Sequence, residues 1–336
     1  MSFQTASVIG AGGWGSALAQ LLSSRGVPVT LWAHEPAQVD EINSSRTNKK
    51  FLPGVTLNPS VHATASMEEA AAADLFVIVP PSKFLPAVAR QLGAAGVASG
   101  VPLVCCTKGL EHESGRLMTQ VLAEIFPSNP VAALSGPNHA EEVARGTPAA
   151  AVVAADDHTL ADEIRDFFST GSFRAYSVDD VAGVELGGAL KNIYAIAAGI
   201  SDGLGLGDNA KAALVTRSLA ELVRLGTKLG GQRETFYGLS GLGDLIVTCF
   251  SQHSRNRGVG ERLGRGEKWT EIEKSMVMVA EGVPTARTAQ AEARKHGVET
   301  PLLDTVYAVL FENLSPRDGL LRLLARDPKS EKEGTA

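Results

Sequence analysis

Cysteine is scarce in this chain of 336 residues. Cys105, Cys106 and Cys249 make neither a C-x-x-C pair nor the spaced, even-numbered set of a disulfide framework. Adjacent Cys105 and Cys106 lie in an apolar run and read as reduced core residues, and Cys249 has no His–Asp grouping nearby that would make it a nucleophile. An excess of positive charge is also missing. The formal net charge of -6 argues against a nucleic-acid binder, and the few aromatics (5%) form no platform for stacking bases. The seven histidines show no metal-ligand spacing, so no metal is expected, and His139 in "SGPNHAEE" reads as structural. No apolar run is long enough to span a bilayer, since Lys191 interrupts the best candidate, "LGGALKNIYAIAAGI". No basic segment precedes a leader-like run at the start, and the expectation is a cytoplasmic protein without an integral membrane segment.

What remains is an ordinary globular composition, 44% hydrophobic and 20% charged, in a chain long enough for two domains. Up to about residue 180, short apolar runs alternate with segments of helical period. Strands are predicted at 6–10, 29–32, 75–79, 103–106, 131–134, 149–154 and 173–177, and helices at 17–24, 67–73, 84–92, 115–125 and 160–168. Several strand runs are continuously apolar, as in parallel strands covered on both faces. The alternation predicts a doubly wound, mostly parallel α/β sheet. From 181 onward the period is helical, over 184–200, 211–225, 257–265, 285–295 and 301–311. The boundaries are therefore an α/β domain over 1–180, an all-α domain over 181–326 and a polar tail over 327–336. In "GDNAKAALVTRSLAELVRLG", Asp208 or Asn209 is expected to cap a helix and Gly226 to close it.

Gly10, Gly12 and Gly15 follow the first strand and open the first helix, in the G-x-G-x-x-G spacing of dinucleotide sites. Gly10 suits the tight turn, Gly12 lets the backbone approach a pyrophosphate and Gly15 lets the helix pack on the strand. The N–H groups of Gly13 and Trp14 lie near the helix N-terminus, where partial positive charge favours phosphate. The second strand delivers Glu35, an acid suited to a ribose 2′-hydroxyl. Later strands end in "PPS", "TKG" and "SGPN", which places Lys108 where open α/β sheets bind ligands; any lone surface lysine would look the same.

Three stretches of the helical half carry the remaining chemistry. Lys191 and Asn192 interrupt an apolar helix, and a lysine there either snorkels to solvent or is held for chemistry. Asp244, among glycines and apolar residues, is either a helix cap or the partner of an ammonium such as Lys191. Ser254, Arg255 and Asn256 form either a donor cluster for phosphate oxygens or a solvated basic turn.

Taken together, "GAGGWGSALA", "LWAH", "FLPG", "TKGLE", "SGPNHAEEV", "GVELGGALKNIYAIAAGISDGLGLGDNAKAALVTRSLAE", "GLGDLIVTC", "SRNRG" and "VAEG" resemble the bacterial-type NAD(P)-dependent glycerol-3-phosphate dehydrogenases over nearly the whole chain. The resemblance implies a Rossmann domain, a helical domain of the 6-phosphogluconate dehydrogenase-like type and a homodimer. It implies interconversion of dihydroxyacetone phosphate and sn-glycerol 3-phosphate with NAD or NADP, supplying glycerol 3-phosphate for phospholipid synthesis. Carried over by position, Lys191 is the proton donor and acceptor. Lys108, Gly136, Asn138, Asp244, Ser254, Arg255 and Asn256 are substrate contacts, and Asn192 is counted with them for its place beside Lys191. Gly13, Trp14, His34, Glu35, Phe51, Lys108, Ala140, Arg255, Val279 and Glu281 are cofactor contacts, with the three motif glycines. Two positions depart from the pattern: many members carry Ser or Thr in place of Asn138, and Arg in place of Glu35. A related reductase for another keto acid would lack the "SRN" cluster, and a non-catalytic dinucleotide sensor would not need Lys191 and Asp244 in apolar settings.

Overall fold

The protein is described as a computed structural model, covering residues 3–276, 278–328 and 330–331. The polar tail expected at 327–336 lies mostly outside the described residues. The chain divides into two compact units. One comprises the chain up to Thr107 with Arg116–Val181; the other comprises Lys108–Gly115 with the chain from Ala182 onward. The segment Lys108–Gly115, counted by sequence within 1–180, thus groups with the helical unit.

The first unit alternates strands and helices: β1 (Ala6–Ile9), α1 (Gly13–Ser23), β2 (Val29–Trp32), α2 (Pro36–Ser45), β3 (Val61–Thr64), α3 (Met67–Ala70), β4 (Phe76–Ile78), α4 (Leu85–Ala94), β5 (Leu103–Cys105), α5 (Met118–Ile125), β6 (Val131–Ser135), α6 (Ala140–Ala144), β7 (Ala149–Ala154), α7 (His158–Phe168) and β8 (Phe173–Val178). They form one eight-stranded sheet in the order β3-β2-β1-β4-β5-β6-β7-β8. β1 to β6 pair in parallel; β7 pairs antiparallel to β6, and β8 runs parallel to β7. The first six follow the doubly wound dinucleotide-fold order, which reverses between β1 and β4.

Alternate residues of the central strands feed two cores, one on each face. Val8, Val77, Val104 and Cys106 lie in one, and Ile9, Phe76, Ile78, Leu103 and Cys105 in the other. This two-sided burial explains the unalternating apolar runs. The adjacent cysteines are both buried, not joined in a disulfide, and on opposite faces. The strand β3, absent from the sequence reading, is an edge element whose "VHAT" exposes His62. With one side only half apolar, it gives no clear signal.

The second unit is helical: α8 (Val181–Gly203), α9 (Gly207–Lys228), α10 (Arg233–Phe236), a π-helical turn (Leu239–Gly243), α11 (Asp244–Phe250), α12 (Arg255–Gly264), α13 (Trp269–Ser275), α14 (Gly282–Lys295), α15 (Pro301–Phe311) and α16 (Pro316–Leu324). α8 is buried along most of its length, Lys191 and Asn192 included. Two expectations for α9 are corrected. Leu206 holds the N-cap position and Asp208 falls in the first turn, without a side-chain cap. Gly226 does not end the helix, which continues to Lys228; the Phe236 ring lies against it, where a Cβ would collide.

Candidate active site

In the first unit, the turn after β1 has the geometry a dinucleotide pyrophosphate requires. Gly10 adopts φ +116°, in the region that favours glycine, and a Cβ there would stand 3.1 Å from the Pro80 nitrogen at the end of β4. The turn therefore sits at the point where strand order reverses. At Gly12, the N-cap of α1, a Cβ would meet no described atom within 4 Å, leaving the helix N-terminus open to an anion. A Cβ on Gly15 would collide with the Gly10 carbonyl, so only glycine allows this helix to lie on this turn. A Cβ on Gly13 would stand 2.7 Å from the Phe51 carbonyl and 3.7 Å from Ala140 Cβ, so three residues far apart in sequence meet here. Trp14 packs on the core, and its buried Nε1 has no hydrogen-bond partner among the described residues. His34 and Glu35 follow β2 and are exposed, with the His34 ring 6.2 Å from Trp32.

Gly136 and Asn138 follow β6. Gly136 is buried with φ +151°, and a Cβ would stand 2.8 Å from the Ala150 carbonyl of β7. Asn138 donates from Nδ2 to that carbonyl at 2.9 Å, while its buried Oδ1 has no partner among the described residues. A close approach of backbone thus accounts for the glycine, and one acceptor of Asn138 is left for a ligand.

In the second unit, Lys108, Lys191 and Asp244 form one cluster. Asp244 opens α11 directly after the π-helical turn, and its carboxylate does not cap the helix. Its Oδ2 accepts from Lys108 Nζ at 2.7 Å and its Oδ1 from Lys191 Nζ at 2.8 Å. The carboxylate side chain is 2% exposed, against 7% for Lys191 and 16% for Lys108. Of the two readings of Lys191 and of Asp244, the structure therefore selects the held lysine and the ammonium partner. Burial lowers the Lys191 ammonium to about 8, with the Lys108 charge adding to the effect and Asp244 opposing it. Burial would raise the Asp244 carboxyl, yet the two ammonium groups hold it below its ordinary value. Two cations on one carboxylate leave a formal charge of about +1, suited to an anion or a developing alkoxide.

Thr248, one turn after Asp244 on α11, was not singled out from sequence. Its hydroxyl accepts from Lys191 Nζ at 2.7 Å and donates to Asp244 Oδ1 at 3.2 Å. The i, i+4 spacing on one helix is the signal that could have found it. Cys249, beside it, is pushed up to about 12 by burial, which excludes a resting thiolate.

The two asparagines also link helices. Asn192 donates from Nδ2 to the Gly188 and Lys108 carbonyls at 3.3 and 3.4 Å. Its Oδ1 accepts from Asn256 Nδ2 at 2.8 Å, and Asn256 Oδ1 accepts from the Gly282 N–H at 2.8 Å. These amides tie α8, α12 and α14 together, which leaves at most one N–H of Asn256 for a ligand. Ser254 caps α12, accepting from the Arg257 N–H at 3.2 Å, and its own O–H remains able to donate. Arg255 is exposed and donates to the Val279 carbonyl at 3.2 Å; Val279 is exposed, and Glu281 stands at the N-cap position of α14. Among the described residues no group of three or more His, Cys, Asp or Glu could hold a metal ion, and no helix is long and apolar enough to cross a membrane.

Residues 5–161 match the family model for the NAD-dependent glycerol-3-phosphate dehydrogenase N-terminus, and residues 180–320 match that for its C-terminus. The chain belongs to this family. A glycerol-3-phosphate dehydrogenase (NAD(P)+) of Geobacter sulfurreducens is 48% identical over 329 residues, covering 97% of this chain and 98% of the relative. One from Salinibacter ruber is 48% identical over 96% of each chain. Among solved structures, the glycerol-3-phosphate dehydrogenase of Coxiella burnetii superposes with a TM-score of 0.92 at 37% identity, covering 96% of this chain and 99% of that one. The alignment of this glycerol-3-phosphate dehydrogenase family member with its relatives thus runs through both units.

Proposed function

We propose that Lys191, activated by burial and by Lys108 and held by Asp244, is the acid–base residue of an enzyme that interconverts dihydroxyacetone phosphate and sn-glycerol 3-phosphate. The Lys108–Asp244–Lys191 cluster, buried in a family member, carries this reading. When bound, the reduced nicotinamide supplies the hydride to the C2 carbonyl carbon. The open N-terminus of α1 and the glycine turn receive the pyrophosphate, with Phe51 and Ala140 beside Gly13. As C2 is reduced, negative charge develops on its oxygen, and the Lys191 ammonium stabilises and then protonates it. In the reverse direction neutral Lys191 accepts the hydroxyl proton. Asp244 and Thr248 hold the Lys191 Nζ in place, so its position does not depend on the substrate. Arg255, the Ser254 hydroxyl and the free N–H of Asn256 receive the phosphate, whose binding orients the reacting carbon. Loss of nicotinamide absorbance with dihydroxyacetone phosphate, and none with unrelated keto acids, is the expected result; activity only on another keto acid would overturn the substrate assignment.

On cofactor choice, the exposed His34 and Glu35 after β2 support use of NADH at least as well as NADPH. A carboxylate there accepts from ribose hydroxyls and repels a 2′-phosphate. Glu35→Arg should shift the ratio of specificity constants towards NADPH; a strong NADPH preference in the unaltered protein would show that Glu35 does not face the ribose.

A further inference from the structure

The lysine and the anion-binding turn stand on different helices, α8 and α12, whose contact is made of glycine. Gly199 and Gly203 fall one turn apart on α8, and Gly260 and Gly264 one turn apart on α12. A Cβ on Gly199 would collide with the Arg257 carbonyl, and one on Gly260 with the Ile196 carbonyl. On Gly264 it would stand 2.6 Å from the Ile200 carbonyl and 2.9 Å from Gly203 Cα. Such a seam brings backbones close but lacks the interlocking ridges that set where one helix stands along another. The Asn192–Asn256 amide bond ties the two helices beside Lys191, and a second contact is needed to define their register along the glycine seam.

Asp202 provides it. It lies on α8 about three turns beyond Lys191, and its carboxylate accepts from Lys211 Nζ of α9 with both oxygens, at 2.9 and 2.8 Å. Arg257 Nε stands 2.7 Å from the same carboxylate as an ion pair without hydrogen-bond alignment, and the Arg257 Nη1 pairs with Glu261 at 3.3 Å. Arg257 belongs to the first turn of α12, where its N–H is the one that Ser254 caps. The Phe250 ring, at the end of the helix bearing Asp244 and Thr248, covers Lys211 at 4.7 Å. The three charged side chains are 9–20% exposed, so the pairing is shielded from water. Partly buried ion pairs of this kind are better at fixing register than at adding stability.

We propose that Asp202 is a positioning residue for the reaction: gripped by Lys211 and Arg257, it fixes α12 on α8 and so sets Ser254 and Arg255 relative to Lys191. This rests on the reading of Ser254–Asn256 as the phosphate-binding turn. Asp202→Asn keeps the side-chain shape and removes the charge. In the full-length variant, KM for dihydroxyacetone phosphate should rise about 10-fold with kcat changed less than about 3-fold, while kcat/KM for unphosphorylated dihydroxyacetone stays within about 2-fold. Asp202→Glu should restore part of the KM. In an Arg255→Ala background, Asp202→Asn should add less than about 2-fold, because the group it positions is gone. Lys211→Gln, which leaves the Asp202–Arg257 pair, provides the same phosphate-selective pattern at smaller size if Asp202→Asn does not fold. Equal losses on both substrates, or an undiminished effect in the Arg255→Ala background, would overturn the role of Asp202. Arg255→Ala alone keeps the two claims apart: an unselective loss there overturns the phosphate-turn reading itself.

Discussion

At the scale of single residues, the proposed mechanism depends on one lysine, which burial brings to about 8. A buried ammonium at about 8 donates its proton readily, and the neutral amine can take one back. Reduction of dihydroxyacetone phosphate requires the protonated form, so its rate should fall as pH rises through about 8; oxidation of glycerol 3-phosphate requires the neutral form and should rise over the same range. Initial rates in both directions from pH 6 to 10 check this, and profiles without opposite slopes would remove Lys191 from the proton-transfer role. Arg255 makes a second residue-scale test. A charge-assisted bond to a bound phosphate contributes about 1.5–3 kcal/mol, so Arg255→Ala should raise KM for dihydroxyacetone phosphate at least about tenfold. Dihydroxyacetone, which has no phosphate, should be nearly unaffected. Much of this was legible in the sequence because a lysine and an aspartate in apolar surroundings need partners. The pairing of Lys108 with Asp244 was not legible, since those residues are remote in sequence and only the fold brings them together.

At the scale of elements, the start of α15 is tied by a distant side chain. α15 begins at Pro301 without a local side-chain cap. Instead Glu221, buried in the middle of α9, accepts from the Leu302 and Leu303 N–H groups at 2.7 and 3.2 Å. Burial raises its carboxyl from 4.5 to about 7, with the two N–H donors opposing. The folded state therefore binds a proton between about pH 4.5 and 7 that the unfolded state has released, and this group's contribution falls as pH rises across that window. The slope it adds is at most about 1.4 kcal/mol per pH unit. Glu221→Gln should flatten the dependence of unfolding free energy on pH in that window; parallel urea-denaturation curves for both proteins would rule it out. Among the helices missed by sequence, α2 and α16 are largely exposed. α2 buries only Ile42, and α16 buries only Gly319 and leaves Leu321 and Leu324 exposed, so neither presents a buried apolar face. The misassigned Gly226 is the converse case: a glycine that reads as a stop was needed for a phenylalanine ring to lie against the helix.

At the scale of the molecule, the two units divide the work. The glycine turn and its neighbours Phe51 and Ala140 belong to the sheet unit, and the Lys108–Asp244–Lys191 cluster belongs to the helical one. Lys191→Ala should therefore lower turnover at least about 100-fold, the usual scale for loss of a general acid. NADH binding, followed by fluorescence titration, should stay close to that of the unaltered protein. A parallel loss of both would mean that the substitution disrupts the fold rather than the chemistry.

The sequence by itself determined the doubly wound sheet, the helical second half, the glycine turn and the residue types of the site. Those features depend on local periodicity, backbone conformation and the cost of burying charge, all of which a linear string expresses. Tertiary structure alone decided which partners those residues take. It gave Asp244 two lysines, recruited Thr248, and committed the amides of Asn192 and Asn256 mainly to joining helices. The physical reason is that hydrogen bonds and ion pairs act over about 3 Å in space, and separation along the chain carries no information about that distance.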